Sequence, residues 1–253
     1  MIKAERTERN MKLYGIDSSG LTASVAIMED DIMVADYSVN YKKTHSQTLV
    51  PMLSEISKMT ETDLSTIDAI AIAKGPGSFT GLRIGSATAK GLGLALDIPI
   101  AEIPTTDALA YNMYGTDRVV CPLMDARREQ VYTGLYEFVK TEASDTGFEM
   151  NTILDACAIP VEDIVEQINK TGRPVILLGD GVPVYREKID SLIKVDYVYA
   201  PASMSRQRAA SVATLAYERI KAGKLSLIPA SEHVPEYLRL SQAERERNEA
   251  NGV

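Results

Sequence analysis

A repeated pattern of strand ends constrains the fold of this chain more than any other feature of its sequence. The apolar segment KLYGID ends in Asp17, and the apolar segment VVCPLMD ends 108 residues later in Asp125. A second pair follows the same plan, because a Gly-x-Gly turn ends a strand at Gly75 and another ends a strand 104 residues later at Gly179. Offsets that agree within four residues predict a duplicated lobe, and the alternation of strands and helices within each lobe predicts an α/β fold.

The length and composition fit two such lobes with ordinary hydrophobic cores. The chain has 253 residues, 45% of them hydrophobic and 25% charged, which is typical of a soluble globular protein. Its net charge of −8 has the wrong sign for a protein that binds nucleic acid by neutralising phosphates over a broad surface. Any role with nucleic acid is therefore expected to be indirect or local.

The sequence also disfavours secreted and membrane-spanning proteins. Cys121 and Cys157 lack the CxxC spacing of a thiolate zinc site or of a disulfide framework, so a reducing cytoplasm fits the cysteine usage. The opening residues are charged, and no stretch approaches about 18 apolar residues. We therefore expect neither a signal peptide nor a membrane-spanning helix, and a cytoplasmic location.

Changes of pattern along the chain predict five segments. The polar residues 1–10 are expected to be an extension or an alternative start, and an N-terminal lobe is expected over 11–115. A C-terminal lobe is expected over 116–202. Apolar residues at helical spacing predict a helix within 203–223 that packs back toward the N-terminal lobe. Residues 224–253 complete the chain as a C-terminal tail.

The turn after the first strand is a candidate phosphate site. The run D-S-S-G-L-T over 17–22 places a carboxylate and hydroxyls where backbone amides could hold a phosphate or a metal-bound nucleotide. On spacing alone, a polar hairpin turn is the better explanation of the same run, because short D-S-S-G runs are common in turns. The acidic end of the matching strand favours a ligand, because paired turns of duplicated lobes would face one cleft. The candidate residues are Asp17, Ser18, Gly20, Thr22 and Asp125.

The glycine loop GPGSFTG over 75–81 is the second candidate. It fits neither the G-x-x-x-x-G-K template nor the G-x-G-x-x-G template. A loop that leads from a strand into a helix still points amide groups at an anion position, and this makes Gly75 and Gly77 candidate contacts. A tight turn with close helix packing is the alternative explanation.

The helix predicted over 79–96 carries four glycines, each of which costs about 1 kcal/mol relative to alanine. Three of them and one alanine form a ladder at i+4 spacing, a stripe without bulk along which another backbone can approach: Gly81, Gly85, Ala89 and Gly93. Packing inside its own lobe and a helix–helix interface with another subunit both explain the ladder.

Histidine is too scarce for a metal site on a single helix. His45 stands near the start of a predicted amphipathic helix, and Leu49 occupies the position four residues later. The H-x-x-x-H pair that would place two imidazoles on one face is therefore incomplete, and no metal site is predicted. The Pro51 inside this helix predicts a kink there or a helix that starts near that residue.

Five segments, in this order and with similar spacing between Met11 and Arg239, match one known family. They are IDSSGLTASVAI (16–27), HSQTLVP (45–51), AIAKGPGSFTGLRIGSATAKGLGLAL (71–96), MDARREQVYTGLY (124–136) and PEYLR (235–239). Together they resemble the TsaB family, also called YeaZ. Its members are dimerisation subunits of the bacterial complex that makes N6-threonylcarbamoyladenosine at position 37 of tRNA.

The resemblance implies an actin-like, sugar-kinase-like fold of two duplicated lobes. It also implies a non-catalytic role, because the family pairs with a catalytic paralogue, TsaD, whose metal-binding helix carries H-x-x-x-H. In the family the first two helices of the N-terminal lobe form a four-helix bundle with the partner. These map to about 45–60 and 79–96, so the candidate interface residues are Leu49, Met52, Ile56, Gly81, Gly85, Ala89 and Gly93.

The resemblance further implies an ATPase partner, TsaE, that contacts the assembled pair, and an enzyme, TsaC, that makes threonylcarbamoyl-adenylate from threonine, bicarbonate and ATP. It implies contact with tRNA only through other subunits, a homodimer when the partner is missing, and no cofactor beyond weak ATP or ADP binding at the level of the complex. The alternatives are an actin-fold Mg-ATP phosphotransferase or ATPase that acts alone through Asp17 and Asp125, and a metallopeptidase-like enzyme.

Overall fold

The computed structural model describes residues 10–41, 43–142, 144 and 146–239. The predictions made for residues 1–9 and for 240–253 lie outside the described residues.

The N-terminal lobe is built on a five-stranded sheet. Its strands are β1 (Lys12–Asp17), β2 (Ala23–Glu29), β3 (Ile32–Val39), β4 (Ala69–Gly75) and β5 (Ile100–Pro104), in the order β3-β2-β1-β4-β5. The first three strands are antiparallel neighbours, and β4 and β5 continue the sheet in parallel with β1. The helices in this part of the chain are α1 (His45–Met59), α2 (Phe79–Leu96) and α3 (Thr105–Tyr111).

The C-terminal lobe has a second five-stranded sheet. Its strands are β6 (Val119–Asp125), β7 (Gln130–Lys140), β8 (Phe148–Pro160), β9 (Val175–Leu178) and β10 (Tyr197–Tyr199), in the order β10-β9-β6-β7-β8. The helices that follow these strands are α4 (Val161–Thr171), α5 (Val182–Leu192) and α6 (Ala209–Lys221).

The two sheets have one topology. Read from the edge strand β8, the second sheet repeats the order of the first, with β6 in the place of β1 and β9 in the place of β4. The pairing agrees as well, because β6 is antiparallel to β7 and parallel to β9. The chain therefore has the predicted α/β fold, an actin-like, sugar-kinase-like arrangement of two duplicated lobes.

Hydrophobic burial explains how the helices are placed. In the N-terminal lobe, α1 and α2 cover one face of the sheet through an apolar cluster that includes Ile16, Ile27 and Ile72. The other face is covered by α6, whose alanines and Val212 pack against β1, β2 and β4. In return, α3 contacts β6 and β7. The sheet of the N-terminal lobe is thus covered in part by α6, which follows the C-terminal sheet. The C-terminal sheet is contacted in turn by α3, which follows the N-terminal sheet.

Three boundaries refine the sequence prediction. The helix α1 begins at His45, so Pro51 lies inside it on the exposed side rather than at its start. The helix α6 begins at Ala209, several residues after the start of the predicted segment. The tail is packed as far as it is described, because Ile228 forms a bridge with Ile100 beside β5. The exact division of the chain into domains stays a prediction.

Candidate functional site

The turn between β1 and β2 is closed on itself. Asp17 is 1% exposed, and its Oδ1 accepts hydrogen bonds from the backbone N–H of Ser19 at 2.9 Å and from its hydroxyl at 2.6 Å. Burial raises the pKa of Asp17 to about 6 against the opposing effect of these bonds, and the nearby carboxylate of Asp180 adds to the increase. The candidate carboxylate therefore lies inside the turn rather than at a surface.

The glycine loop packs directly on this turn. The N–H of Ser78 donates to the carbonyl of Ser19 at 2.7 Å. A β-carbon on Gly77 would overlap the same carbonyl oxygen, and Gly75 has a φ of +130°, a conformation that other residues rarely adopt. Glycine is thus required at both positions by close approach and backbone conformation within the lobe.

The glycine ladder of α2 also faces the chain's own atoms. β-Carbons on Gly81 and Gly85 would overlap the carbonyl oxygen and the hydroxyl of Ser18, which donates to the carbonyl of Gly81 at 2.8 Å. Further along, a β-carbon on Gly93 would lie 2.6 Å from the Cβ of Ala230. Of the two explanations left open by the sequence, the structure therefore favours packing inside the lobe for this stripe.

The other candidate interface residues are also buried inside the N-terminal lobe. Leu49, Met52 and Ile56 of α1 belong to the core cluster beneath that helix, and Ala89 of α2 is fully buried there as well. All seven predicted contact residues are thus interior, because the apolar stripe of α1 and the small-residue stripe of α2 both face the sheet. A contact surface on these helices has to use their outward faces instead.

The outward faces of α1 and α2 carry apolar side chains that the sequence prediction missed. Val50 is 55% exposed and Met59 is 77% exposed on α1, while Leu94 is 63% exposed on α2. Ala87 and Gly91 precede Leu94 on the exposed face of α2, and a β-carbon on Gly91 would meet nothing within 4 Å. Apolar and small residues therefore face outward on these two helices, and we call this set the outward strip.

His45 is used inside the protein. Its Nε2 lies 2.9 Å from the carbonyl oxygen of Gly20, within the turn after β1. Leu49 occupies the core where a second imidazole would be needed. Within the part of the chain that the structure describes, no group of three or more His, Cys, Asp or Glu residues is arranged to hold a metal ion.

The acidic residue at the end of β6 has a different environment from its counterpart Asp17. The Oδ1 of Asp125 accepts from the N–H of Arg127 at 2.8 Å and from the hydroxyl of Tyr185 at 3.0 Å, and Oδ2 pairs with the Arg127 guanidinium at 3.2 Å. The acidic group whose charge acts on Asp17 is Asp180. Asp180 stands in the second Gly-x-Gly turn, so this turn of the C-terminal lobe lies near enough to the turn after β1 for its charge to contribute to the raised pKa of Asp17.

Unused hydrogen-bonding groups surround this region. Within the described part of the chain, buried atoms without a hydrogen-bond partner include the hydroxyl of Thr22, the amide oxygen and nitrogen of Gln207, Oδ1 of Asp180 and Nη1 of Arg206. The Gln207 amide lies over Gly20, because a β-carbon there would be 2.6–2.9 Å from all three of its amide atoms. Such groups are normally paired, so they mark the polar part of the lobe boundary. No sequence motif signalled Gln207, whereas Asp180 stands inside the G-D-G turn.

Comparison with families and curated proteins gives a consistent result. A family model described as TsaD, tRNA N6-adenosine threonylcarbamoyltransferase, matches residues 36–247. The tRNA threonylcarbamoyladenosine biosynthesis protein TsaB of Bacillus subtilis is 32% identical over 234 residues, which are 92% of this chain and 96% of that protein. The TsaB protein of Escherichia coli is 34% identical over 130 residues, about half of each chain.

A solved structure agrees with these sequence matches. YeaZ from Pseudomonas aeruginosa superimposes with a TM-score of 0.72 at 26% identity, over 90% of this chain and 100% of that one. Another structure with the same TM-score and identity is described as an uncharacterized protein with similarity to peptidase YEAZ from Pseudomonas aeruginosa. No α-helix among the described residues is long and apolar enough to cross a membrane.

Proposed function

Because the chain belongs to the TsaB family of tRNA threonylcarbamoyladenosine biosynthesis proteins, we propose that it serves this pathway as a non-catalytic subunit that pairs with a TsaD-like catalytic subunit. The observation that carries the proposal is that the turn after β1 and the glycine loop satisfy each other's hydrogen bonds. The groups that an actin-like enzyme would offer to phosphates are thereby occupied within the chain.

The residues present do not fit a bound metal–triphosphate. A phosphate needs N–H groups that point toward it, but the N–H of Ser19 is donated to Asp17 and the N–H of Ser78 to the Ser19 carbonyl. A magnesium ion needs reachable carboxylate oxygens, and Asp17 is buried. These features support a chain that transfers no phosphoryl group and has no cofactor of its own, with any weak ATP or ADP binding arising in the complex.

The state of His45 supports the same assignment. Its Nε2 already contacts the Gly20 carbonyl, and the residue four positions later is the buried Leu49. In the proposed pair, metal binding and transfer of the threonylcarbamoyl group belong to the partner. This chain contributes a folded surface rather than reacting groups, which also argues against the metallopeptidase-like alternative.

The proposed contact surface is the outward strip of α1 and α2. Its apolar residues Val50, Met59 and Leu94 are solvent-exposed in the single chain, and Ala87 and Gly91 allow close helix approach. A TsaD model matches this chain, so a TsaD-like partner is expected to present the corresponding two helices. Two such pairs would form a four-helix bundle about an approximate two-fold axis. The same strip would support a homodimer when the partner is missing.

Further partners follow from membership of this complex. We expect a TsaE-like ATPase to contact the assembled pair rather than this chain alone. We expect other subunits to hold the tRNA, because a net charge of −8 opposes broad contact with phosphates. A cytoplasmic location is the matching expectation for a protein that modifies tRNA.

Reconstitution tests the proposal. Purified chain is added to TsaD, TsaC, TsaE, ATP, threonine, bicarbonate and unmodified tRNA, and the modified nucleoside is measured by mass spectrometry. We expect formation of the modified nucleoside with the chain and little or none without it, and no product from the chain with tRNA and substrates in the absence of TsaD. Equal product in a mixture that lacks the chain would contradict the proposal.

A second candidate, a Mg-ATP phosphotransferase or ATPase acting alone, is favoured by one observation. Among the described residues, the Thr22 hydroxyl and the Gln207 amide are buried without a partner, and the Gln207 amide lies over Gly20 in the turn that begins after Asp17. Calorimetric titration of the isolated chain with Mg-ATP separates the two candidates. Micromolar binding accompanied by ATP hydrolysis would favour the enzyme, and weak or no binding is the result expected for the subunit.

A further inference from the structure

The end of the described chain crosses from one lobe to the other. We call residues 224–239 the C-terminal strap. It begins beside the sheet of the N-terminal lobe, where Ile228 and Ile100 exchange two backbone hydrogen bonds of 2.8 and 2.9 Å. Ala230 then fills the notch at Gly93 of α2. The strap is therefore attached to the outer edge of this lobe before it reaches the strand ends.

A buried histidine anchors the middle of the strap. His233 is 1% exposed; its Nε2 lies 2.8 Å from the hydroxyl of Ser86, and its Nδ1 lies 2.6 Å from the carboxylate of Glu102. Lys90 donates to the backbone carbonyl of the same histidine at 3.0 Å. Three side chains of the N-terminal lobe thus fix one residue of the strap.

The PEYLR segment at 235–239 lies beside the glycine loop. The N–H of Glu236 donates to the carbonyl of Lys74 at 2.7 Å, and the two side chains form an ion pair of 2.9 Å. The carbonyl of Glu236 occupies the space that a β-carbon on Gly75 would need. The ring of Tyr237 lies 4.7 Å from the ring of Phe79, at the start of α2.

The last described residue contacts the other lobe. Nη1 of Arg239 donates to the carbonyl of Ala126 and, at 3.4 Å, to that of Arg127. These carbonyls belong to the turn between β6 and β7, in which Arg127, Arg128 and Glu129 have φ values of +65°, +55° and +60°. Three successive left-handed residues other than glycine are unfavourable. The contacts that Arg239 makes with the carbonyls of Ala126 and Arg127 therefore help to hold the turn in this conformation.

We propose that the strap is a latch that holds the two lobes together at their strand ends, with Arg239 as its terminal contact. The helices α3 and α6 already join the lobes through the faces of the sheets. The strap adds a separate connection at the β6–β7 turn. Loosening the strap on the N-terminal lobe should therefore release a turn of the C-terminal lobe.

Hydrogen exchange measured by mass spectrometry on the full chain tests the latch. The N–H of Ala126 donates to Gln130 at 3.0 Å, and the N–H of Gln130 donates to Arg127 at 3.2 Å, so both amides report on the turn. In Arg239→Ala we expect their exchange to become about tenfold faster. Arg239→Lys, which keeps a cationic donor, should show a smaller increase.

The decisive comparison uses the other end of the latch. Tyr237→Ala weakens the attachment to Phe79 and should accelerate exchange in the same turn by about threefold to tenfold, and the milder Glu236→Gln should do so by about twofold to threefold. Arg173→Ala is the matched control, because Arg173 pairs with Glu137 inside the C-terminal lobe, and it should leave the turn unchanged. Exchange in β9 serves as the reference for global stability.

Two results would overturn the latch. If exchange in the turn stays within twofold of wild type in Arg239→Ala, then Arg239 does not hold the turn and the latch lacks its terminal contact. Faster exchange in Arg239→Ala that is absent from both Tyr237→Ala and Glu236→Gln would show that Arg239 supports the turn only locally. If Tyr237→Ala also accelerates β9, the Glu236→Gln result decides.

Discussion

The strand-end turns of the two lobes occupy the same place in a duplicated fold but are stabilised in different ways. In the N-terminal lobe, the turn after β1 is folded against the glycine loop, and Ser18 and Ser19 are used by α2 and by the loop. In the C-terminal lobe, the turn after β6 exposes Arg127 and is held from outside by Arg239. The two sheets have thus kept one topology, while the turns at their strand ends have diverged.

Under the proposed function, these two turns are the places where the chain lacks the nucleotide site of an enzyme. A cleft that binds a nucleotide needs donors from both lobes that are free to meet the ligand. Here one turn is closed and the other is tied to the strap, whereas the outward strip of α1 and α2 offers exposed apolar side chains to a partner.

The largest effect is expected where α2 meets the closed turn. Gly81→Ala places a β-carbon against the Ser18 carbonyl, and overpacking of a backbone contact should lower the free energy of unfolding by about 3 kcal/mol. Gly91→Ala is the matched control on the same helix, because nothing lies within 4 Å of its β-carbon. It should raise stability by about 0.5 to 1 kcal/mol. Urea denaturation monitored by circular dichroism measures both.

Equal stability of the two glycine variants would contradict the closed turn. The same geometry explains why bulky substitution of Gly85 is a poor probe of a partner interface. A side chain there would meet the Ser18 hydroxyl, so the variant would report on folding instead of binding.

The next effect is a pH dependence that arises from Asp17. Burial raises its pKa to about 6 in the folded chain, against about 3.9 when unfolded. Between these values the folded state holds the proton more tightly, so stability should decrease as the pH rises from about 4 to 6, by about 2 to 3 kcal/mol in total. Above pH 6 this cost is fully present.

Asp17→Asn should remove this dependence. The variant should be more stable than wild type at pH 7 by about 2 to 3 kcal/mol, and the difference should disappear near pH 4, as measured by urea unfolding at each pH. Asp125→Asn is the control from the other lobe and should not gain stability at pH 7, because it loses its ion pair with Arg127. A parallel pH profile for wild type and Asp17→Asn would show that Asp17 is solvated.

A smaller change in free energy is expected at the outward strip. Val50→Glu should weaken binding to TsaD by about tenfold or more, which corresponds to about 1.4 kcal/mol, because the charge would lose solvation in the interface. Val184→Glu is the matched control, since Val184 has almost the same exposure, 57%, on α5 of the other lobe. Titration calorimetry measures both affinities, and equal affinities would place the contact elsewhere.

Much of the fold could be predicted because local sequence patterns indicate the strands, the helices and their order. The strand ends at Asp17 and Asp125 carried the duplication, and their spacing predicted two lobes of one topology. The i+4 ladder on α2 predicted a close backbone approach, which the structure contains. The sequence could not say which backbone approaches, because Ser18 and Ala230 reach the ladder from 63 residues before Gly81 and 137 residues after Gly93.

The site was harder to predict because it depends on contacts between distant segments. Asp180 acts on Asp17 only after both sheets have formed, and Gln207 lies over Gly20 because α6 of one lobe packs on the other. His233 had no motif around it, yet it is buried between Ser86 and Glu102. The helical periodicity of apolar residues identified the buried stripe of α1. The partner surface depends instead on which residues of the helix stay exposed after folding.

The central claim is that this chain supports tRNA modification through its helix surface and not through a site of its own. The most direct measurement compares three chains in the reconstituted mixture: wild type, Asp17→Asn/Asp125→Asn and Val50→Glu. We predict that the double variant forms the modified nucleoside at a rate within about twofold of wild type, and that Val50→Glu falls about tenfold at limiting concentration. Loss of product with the double variant and normal product with Val50→Glu would contradict the account.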